Sequence, residues 1–295
     1  MPIELIHLNT EELKSLKRDE TLFLFPVGTL EDHGPHLPIG TAVLKAEAIS
    51  DELIKNMERA LPNWNVVLGP AVPMGIDSNT SNTTFCVRAH VLRDWLVDVC
   101  TGLKKEGFKY FACISGSFGP KQLTAIEEAG KILKYKSGFG LFWKGFLVSL
   151  SSSIIKEQNW KNSLFYPNPD EHGGETDTSI ALKYFPQDVN ASYKNLIPIT
   201  KENSSLSILK KRLSHTLYGF WGTPAKANGS AGEQLISKWA NSLTIQLKEQ
   251  IEGKYNPSRF RTWYSIIPVN RSFFKAGLLA CIILILLCFL TFLWV

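Results

Sequence analysis

The chain has 295 residues, of which 44% are hydrophobic and 20% are charged, so it can bury a sizeable core and is not disordered. Its formal net charge is +5, but the basic residues form no long run, which favours an ordinary solvated surface over a nucleic-acid-binding protein. The five cysteines show no CxxC pairing, which argues against a disulfide framework or a zinc knuckle and indicates a reducing compartment.

Predicted strands and helices alternate along the first third of the chain. Residues Thr21 to Val27 form an apolar run that Gly28 ends, which predicts a buried strand. The patterns that follow predict a helix over 42–59, a strand over 64–68, a polar loop over 75–84 and a helix over 90–106.

The alternation continues to about residue 252. The elements predicted there are a strand over 110–114, a turn over 115–120, a helix over 121–135, a strand over 145–150 and helices over 176–184 and 232–252. Strands that alternate with helices indicate an α/β domain with a mostly parallel sheet and helices on both faces. We expect one domain over residues 1–252.

The C-terminal segment has a different composition. Residues 276–295 are twenty positions without a charge, and a helix of that length spans about 30 Å, the thickness of the hydrocarbon core. We predict a transmembrane tail anchor that contacts membrane lipid. The linker over 253–275 is basic and aromatic, so the positive-inside rule predicts a single-pass membrane protein whose N-terminal domain is cytoplasmic.

Polar residues that can bind a metal follow the first predicted strand. Glu31, Asp32, His33 and His36 lie within six residues of one another, directly after Val27. The carboxyl ends of strands are where open α/β sheets bind their ligands. Carboxylate oxygen and imidazole nitrogen together suit zinc, manganese or iron.

A second polar group precedes the helix predicted over 176–184. It comprises His172, Glu175 and Asp177. Carboxylates at a helix start are also stabilised by the helix dipole, so capping is the alternative interpretation for the two acids.

Five ordered segments resemble the creatininase (creatinine amidohydrolase) family. They are PVGTLEDHGPHLP at 26–38, TFCVR at 84–88, GFKYFACISG at 107–116, HGGETDTS at 172–179 and GTPAKA at 222–227. The resemblance implies a three-layer α/β/α fold, assembly as a homo-oligomer, and hydrolysis of small linear or cyclic amides by a pair of divalent metals.

The resemblance also implies roles for individual residues. Glu31 and His33 would be metal ligands, and Glu175 would be a third. His172 would be a catalytic or substrate-contacting imidazole, and His36 is the second candidate for such a role.

Two positions depart from the family pattern. Ala42 stands where the family has a bridging aspartate, and Ser117 stands where it has a histidine ligand. A two-metal site needs that bridging carboxylate to offset the repulsion between two dications. We therefore expect one divalent ion, zinc, manganese or iron, or no metal at all.

Three functions remain open from the sequence. The first is a metal-dependent amidohydrolase that acts on a small amide, and the second is a catalytically inactive scaffold or binding protein with the same fold. The third is a serine hydrolase, because Ser115 to Gly119 nearly reads G-x-S-x-G between a predicted strand and helix. Ser117 would then be the nucleophile, with His172 or His33 as its base.

Overall fold

The computed structural model describes residues 2–76, 83–135, 172–199, 218–254 and 280–285. Its strands and longer helices are β1 (Ile3–Glu4), α1 (Thr10–Ser15), β2 (Thr21–Val27), α2 (Thr41–Ala60), β3 (Asn65–Leu68), α3 (Ala89–Lys105), β4 (Tyr110–Ser115), α4 (Pro120–Tyr135), α5 (Glu175–Tyr184) and α6 (Gly229–Ile251).

The four strands form one parallel sheet in the order β1-β3-β2-β4. β2 is one of the two inner strands of the described sheet, and all seven of its residues are buried. This arrangement confirms the α/β class and the parallel sheet that the sequence predicts.

Side chains of β2 alternate between two cores. Leu22 and Leu24 face one core, to which α2, α5 and α6 contribute. Phe23, Phe25 and Val27 face the other, to which α3 and α4 contribute. Because each face of the sheet carries helices, the described part of the chain has three layers.

A proline lies in β2 near its carboxyl end. The carbonyl of Pro26 accepts a hydrogen bond from the Val72 amide, at 2.9 Å. The missing N–H of Pro26 therefore faces the side on which β3 has already ended at Leu68. The proline therefore lies beyond the regular pairing of β2 with β3, which ends at Leu24 and Leu68.

Most predicted elements lie within a few residues of their observed bounds. The sequence prediction missed β1 and α1, although Asn9 and Glu12 form a capping box that begins α1. The strand predicted over 145–150 and positions 77–82 of the predicted loop lie outside the described residues.

The predicted membrane anchor falls mostly outside the described residues. Of 276–295, only 280–285 are described; they are helical, and their apolar side chains are exposed. In the parts of the chain that the structure covers, no helix combines the length and apolar character needed to cross a membrane. The anchor stays a prediction, as do the domain bounds at 252 and 275.

Candidate metal centre

The predicted site lies at the carboxyl edge of the parallel sheet. Residues 28–38 follow β2, residues 116–119 follow β4, and residues 172–174 lead into α5. The backbone amide of Gly116 bonds the carbonyl of Val27 at 2.9 Å, which joins the first two segments. The parallel sheet therefore gathers segments that are far apart in sequence.

Three side chains form a cluster that could hold a metal ion. The ligand atoms of Glu31, His33 and His172 all lie within 4.8 Å of one another. The rings of His33 and His172 stack with centroids 4.2 Å apart and planes inclined by 27°. Glu31 is 6% exposed and His33 is 2% exposed, whereas His172 is partly buried, so two of the three side chains are shielded from water.

Backbone carbonyls determine the tautomer of both imidazoles. His33 Nδ1 donates to the Glu31 carbonyl at 2.9 Å, and His172 Nε2 donates to the Asp32 carbonyl at 2.7 Å. A carbonyl can only accept, so each of these nitrogens carries the proton. The lone pairs are then on His33 Nε2 and His172 Nδ1, and such a carbonyl contact is how proteins orient a metal-binding histidine.

Burial keeps both imidazoles neutral. Desolvation is the main cause that lowers the pKa of His33 to about 4 and that of His172 to about 3. A histidine must be neutral to bind a metal, so both rings are in the binding form at neutral pH.

His172 reaches the cluster through tight backbone contacts. Its amide and carbonyl pair with those of Trp221, at 2.9 and 2.6 Å. Gly173 has a φ of +60°, and a Cβ there would lie 2.4 Å from the His33 carbonyl oxygen. Only glycine permits this approach of the two segments.

A buried ion pair joins α2 to the start of α5. Lys45 Nζ donates to Asp177 Oδ1 at 2.6 Å, and Asp177 Oδ2 accepts from the Gly173 amide at 3.0 Å. Burial opposes ionisation of Asp177, but the charge of Lys45 and its hydrogen bond act in the opposite direction, and the pKa of this carboxyl is lowered. Asp177 therefore braces the start of α5, and its membership of the site stays a prediction.

Sequence reasoning did not single out Lys45. A signal for it exists, because Ala42 and Ile49 lie one turn away on the same face of α2 and are buried. A lysine on a buried helix face needs a partner, and here that partner is Asp177.

Glu175 lies outside the three-residue cluster. It is the first residue of α5 and is half-buried, and its Oε2 accepts a hydrogen bond from Thr223 Oγ1 at 3.3 Å. Its role as a metal ligand stays a prediction, and the described cluster has His172 in addition to Glu31 and His33.

His36 and Asp32 contact the structure around the cluster. His36 is 1% exposed; its Nε2 bonds Thr178 Oγ1 at 2.9 Å, and its ring packs edge-on against Phe220. The carboxylate of Asp32 accepts from the Gly34 amide at 2.8 Å, which tightens the turn between the two histidines. The catalytic role of His36 stays a prediction.

The two positions that depart from the family pattern are both buried. Ala42 is 1% exposed, and a Cβ on Gly116 would lie 1.8 Å from its carbonyl oxygen. Ser117 Oγ accepts from the Thr29 amide at 3.0 Å and lies 2.7 Å from Thr29 Oγ1. Thr29 offers no base, so these contacts do not support Ser117 as an activated nucleophile.

Comparisons with known proteins identify a family and a relative for this chain. The family model for creatininase, described as creatinine amidohydrolase, matches residues 6–247. A mycofactocin precursor peptide peptidase from Mycolicibacterium smegmatis is 22% identical over 252 residues, which cover 82% of this chain and 90% of that protein.

Solved structures show the same fold. A putative creatinine amidohydrolase from Bacteroides fragilis has a TM-score of 0.64 at 19% identity and covers 86% of this chain and 98% of its own. A structure described as "Creatininase Mn" has a TM-score of 0.64 at 18% identity, with coverage of 85% and 99%. A mutant creatininase of "Zn-Zn type" has a TM-score of 0.64 at 17% identity, with the same coverage.

Proposed function

Because this chain belongs to the creatininase family, whose model matches residues 6–247, we propose that it is a hydrolase that cleaves an amide C–N bond with the help of one divalent metal ion. The observation that carries the proposal is the cluster of Glu31, His33 and His172, whose ligand atoms lie within 4.8 Å of one another. Structural neighbours are described with manganese and with zinc, and one carboxylate with two imidazoles suits both metals, as it suits iron.

The donor set fits a single ion. Glu31 would contribute a negatively charged oxygen, His33 its Nε2 and His172 its Nδ1. Three protein ligands leave a coordination position open, as in catalytic rather than structural zinc sites. The carbonyls of Glu31 and Asp32 orient the two rings before any ion arrives.

The chemistry follows from these groups. When bound, a divalent ion supplies Lewis acidity at the amide carbonyl and lowers the pKa of water. Glu31 and His33 are themselves buried, and low exposure to water strengthens the charge interactions that they make. Glu175 is half-buried at the positive end of α5. We assign its carboxylate either to binding the metal ion or to accepting a proton during the reaction.

We place the substrate among small amides, including cyclic amides and the amide bonds of short peptides. The family description supports amide hydrolysis, and one relative is described as acting on a precursor peptide.

Metal analysis combined with an amide panel tests the proposal. We expect about one zinc, manganese or iron per chain after purification without chelators, and turnover of a cyclic amide or a short peptide. Glu31→Gln and His33→Ala should lose both, whereas His90→Ala, which alters an exposed histidine on α3, should keep both. Absence of metal in the unaltered protein, even after reconstitution, would overturn it.

A catalytically inactive scaffold is the second candidate. Two features favour it: the buried methyl group of Ala42 and the hydroxyl of Ser117, which Thr29 already bonds. In that case the double variant Glu31→Ala, His33→Ala would fold and support the cellular role. Loss of that role with folding preserved would eliminate the scaffold.

The proposal also includes the chain's partners and location. Residues 276–295 form a membrane anchor that keeps the domain on the cytoplasmic face, and the domain assembles as a homo-oligomer. The charge-free composition of this segment supports the anchor. The oligomer is an expectation from the family resemblance described above.

A further inference from the structure

The ammonium group of Lys45 is a buried positive charge near the cluster of Glu31, His33 and His172. Lys45 and Asp177 form an ion pair at 2.6 Å, and their side chains are only 7% and 10% exposed. The two residues are 132 positions apart and belong to α2 and α5. The pair is therefore a product of the tertiary fold and not of local helix chemistry.

The contacts of the pair are few and specific. Asp177 uses one oxygen for Lys45 and the other for the Gly173 amide. The ammonium of Lys45 also lies 5.0 Å from the centroid of the Phe118 ring, a cation–π distance. Burying two charges costs free energy unless their geometry is good, so a pair in this place calls for a function or a specific structural need.

The pair is coupled to the cluster in two ways. Gly173, which Asp177 holds, directly follows His172 in the chain. The charges also reach both rings, because Lys45 lowers and Asp177 raises the pKa of His33 and of His172.

We propose that the Lys45 ammonium is a built-in second cation that restricts this site to one divalent ion. Lys45 occupies Oδ1 of the Asp177 carboxylate. Without the ammonium group, this negatively charged oxygen would attract a metal ion. This inference rests on the proposed metal site.

The proposal predicts effects of opposite sign for the two halves of the pair. Lys45→Met leaves the negative charge of Asp177 uncompensated, so divalent ions should bind about tenfold more tightly or at a second equivalent. Asp177→Asn leaves the ammonium uncompensated, so binding should weaken by about tenfold or more. A pair that only braces the fold would weaken binding in both variants.

The experiment measures zinc affinity by competition with a chromophoric chelator, zinc equivalents by elemental analysis after dialysis, and folding by circular dichroism. The full chain is used, with each variant compared to the unaltered protein. Lys55→Met is the matched control, since it removes a charge from the same helix at a position 63% exposed. The control should bind zinc like the unaltered protein.

If Lys45→Met does not fold, a double variant decides. Adding Lys45→Met to Asp177→Asn removes the remaining ammonium, so zinc affinity should recover relative to Asp177→Asn alone. Weakening in both single variants, or no recovery in the double variant, overturns the role of Lys45 while leaving the metal site intact. Absence of zinc binding in the unaltered protein instead overturns the proposed function, and this inference with it.

Discussion

At the scale of single residues, two backbone carbonyls select the nitrogen that each imidazole presents. The backbone carbonyls of Glu31 and Asp32 each accept a hydrogen bond from a ring N–H of a histidine in the cluster. These carbonyls belong to the same loop that carries Glu31 and His33. One short segment therefore supplies two ligands and also orients the ligand that comes from residue 172.

The ligand role of His172 can be separated from that of Glu175. We expect His172→Ala to weaken zinc binding about 100-fold, because it removes a donor from the described cluster. Glu175→Gln should change affinity only a few-fold if this carboxylate mainly accepts from Thr223. Chelator competition gives both values, and equal losses in the two variants would make Glu175 a ligand, as the family resemblance implies.

The buried His36 makes stability depend on pH. Burial lowers its pKa from 6.5 to about 4, so between these values the unfolded chain binds a proton that the folded chain does not. Stability is therefore lost as the pH falls from about 6.5 to about 4, and this contribution is constant below that range. The same sign applies to His33 and His172.

A variant isolates the contribution of His36. His36→Asn should reduce the slope of unfolding free energy against pH by up to one proton, about 1.4 kcal/mol per pH unit. The measurement is urea unfolding of the metal-free protein from pH 4.5 to 7. If unfolding free energy has the same slope against pH in His36→Asn and in the unaltered protein, then His36 has the same pKa in the folded and unfolded chain, and the prediction is wrong.

At the scale of elements, the position of α2 depends on close backbone contacts with the ends of two strands. A Cβ on Gly28 would lie 2.5 Å from the Ala42 carbonyl carbon, and one on Gly116 would lie 1.8 Å from the Ala42 oxygen. Both glycines let α2 approach the carboxyl edge of the sheet. This approach is what brings Lys45 beside the cluster.

Substituting Gly116 tests this packing. Gly116→Ala should destabilise the fold by about 3 kcal/mol or more, because the new methyl group meets the backbone of α2, which cannot move aside alone. Gly102→Ala on α3 is the matched control, since no heavy atom lies within 4 Å of the added carbon. The control should be neutral or up to about 1 kcal/mol more stable. Denaturant unfolding compares the two, and a similar stability for both would contradict the close contact.

At the scale of the whole molecule, the predicted anchor would determine where in the cell the domain is located. The domain carries the site, and residues 276–295 carry the apolar segment, with a basic linker between them. If the domain assembles as an oligomer, several anchors would bind one membrane patch and their affinities would multiply.

We expect the full chain to float together with phospholipid vesicles. A chain without residues 276–295 should not bind the vesicles and should stay at the bottom of the gradient. The test is flotation on a sucrose gradient with phospholipid vesicles, for the full chain and the shortened chain. Alkaline extraction is the control, since it strips peripheral proteins and leaves a spanning helix in place. Equal flotation of both chains would assign membrane binding to the domain and not to the anchor.

Local sequence patterns determined much of this fold. The apolar run at Thr21–Val27 is the observed β2, and the small and apolar spacing predicted over 42–59 falls within α2. These elements follow from short-range periodicity, which a sequence displays directly. Glu31 and His33 were candidates because of their residue types and their place after a strand end, and their role as metal ligands stays an expectation from the family resemblance.

The composition of the cluster was decided by the tertiary structure. His172 bonds the carbonyl of Asp32 across 140 residues, and Lys45 meets Asp177 across 132. No local period encodes such pairs; they arise because the parallel sheet and the packing of α2 and α5 bring remote segments to one edge. The sequence by itself thus determined the elements and the polar side chains of one loop, while the fold determined which distant side chains lie beside them.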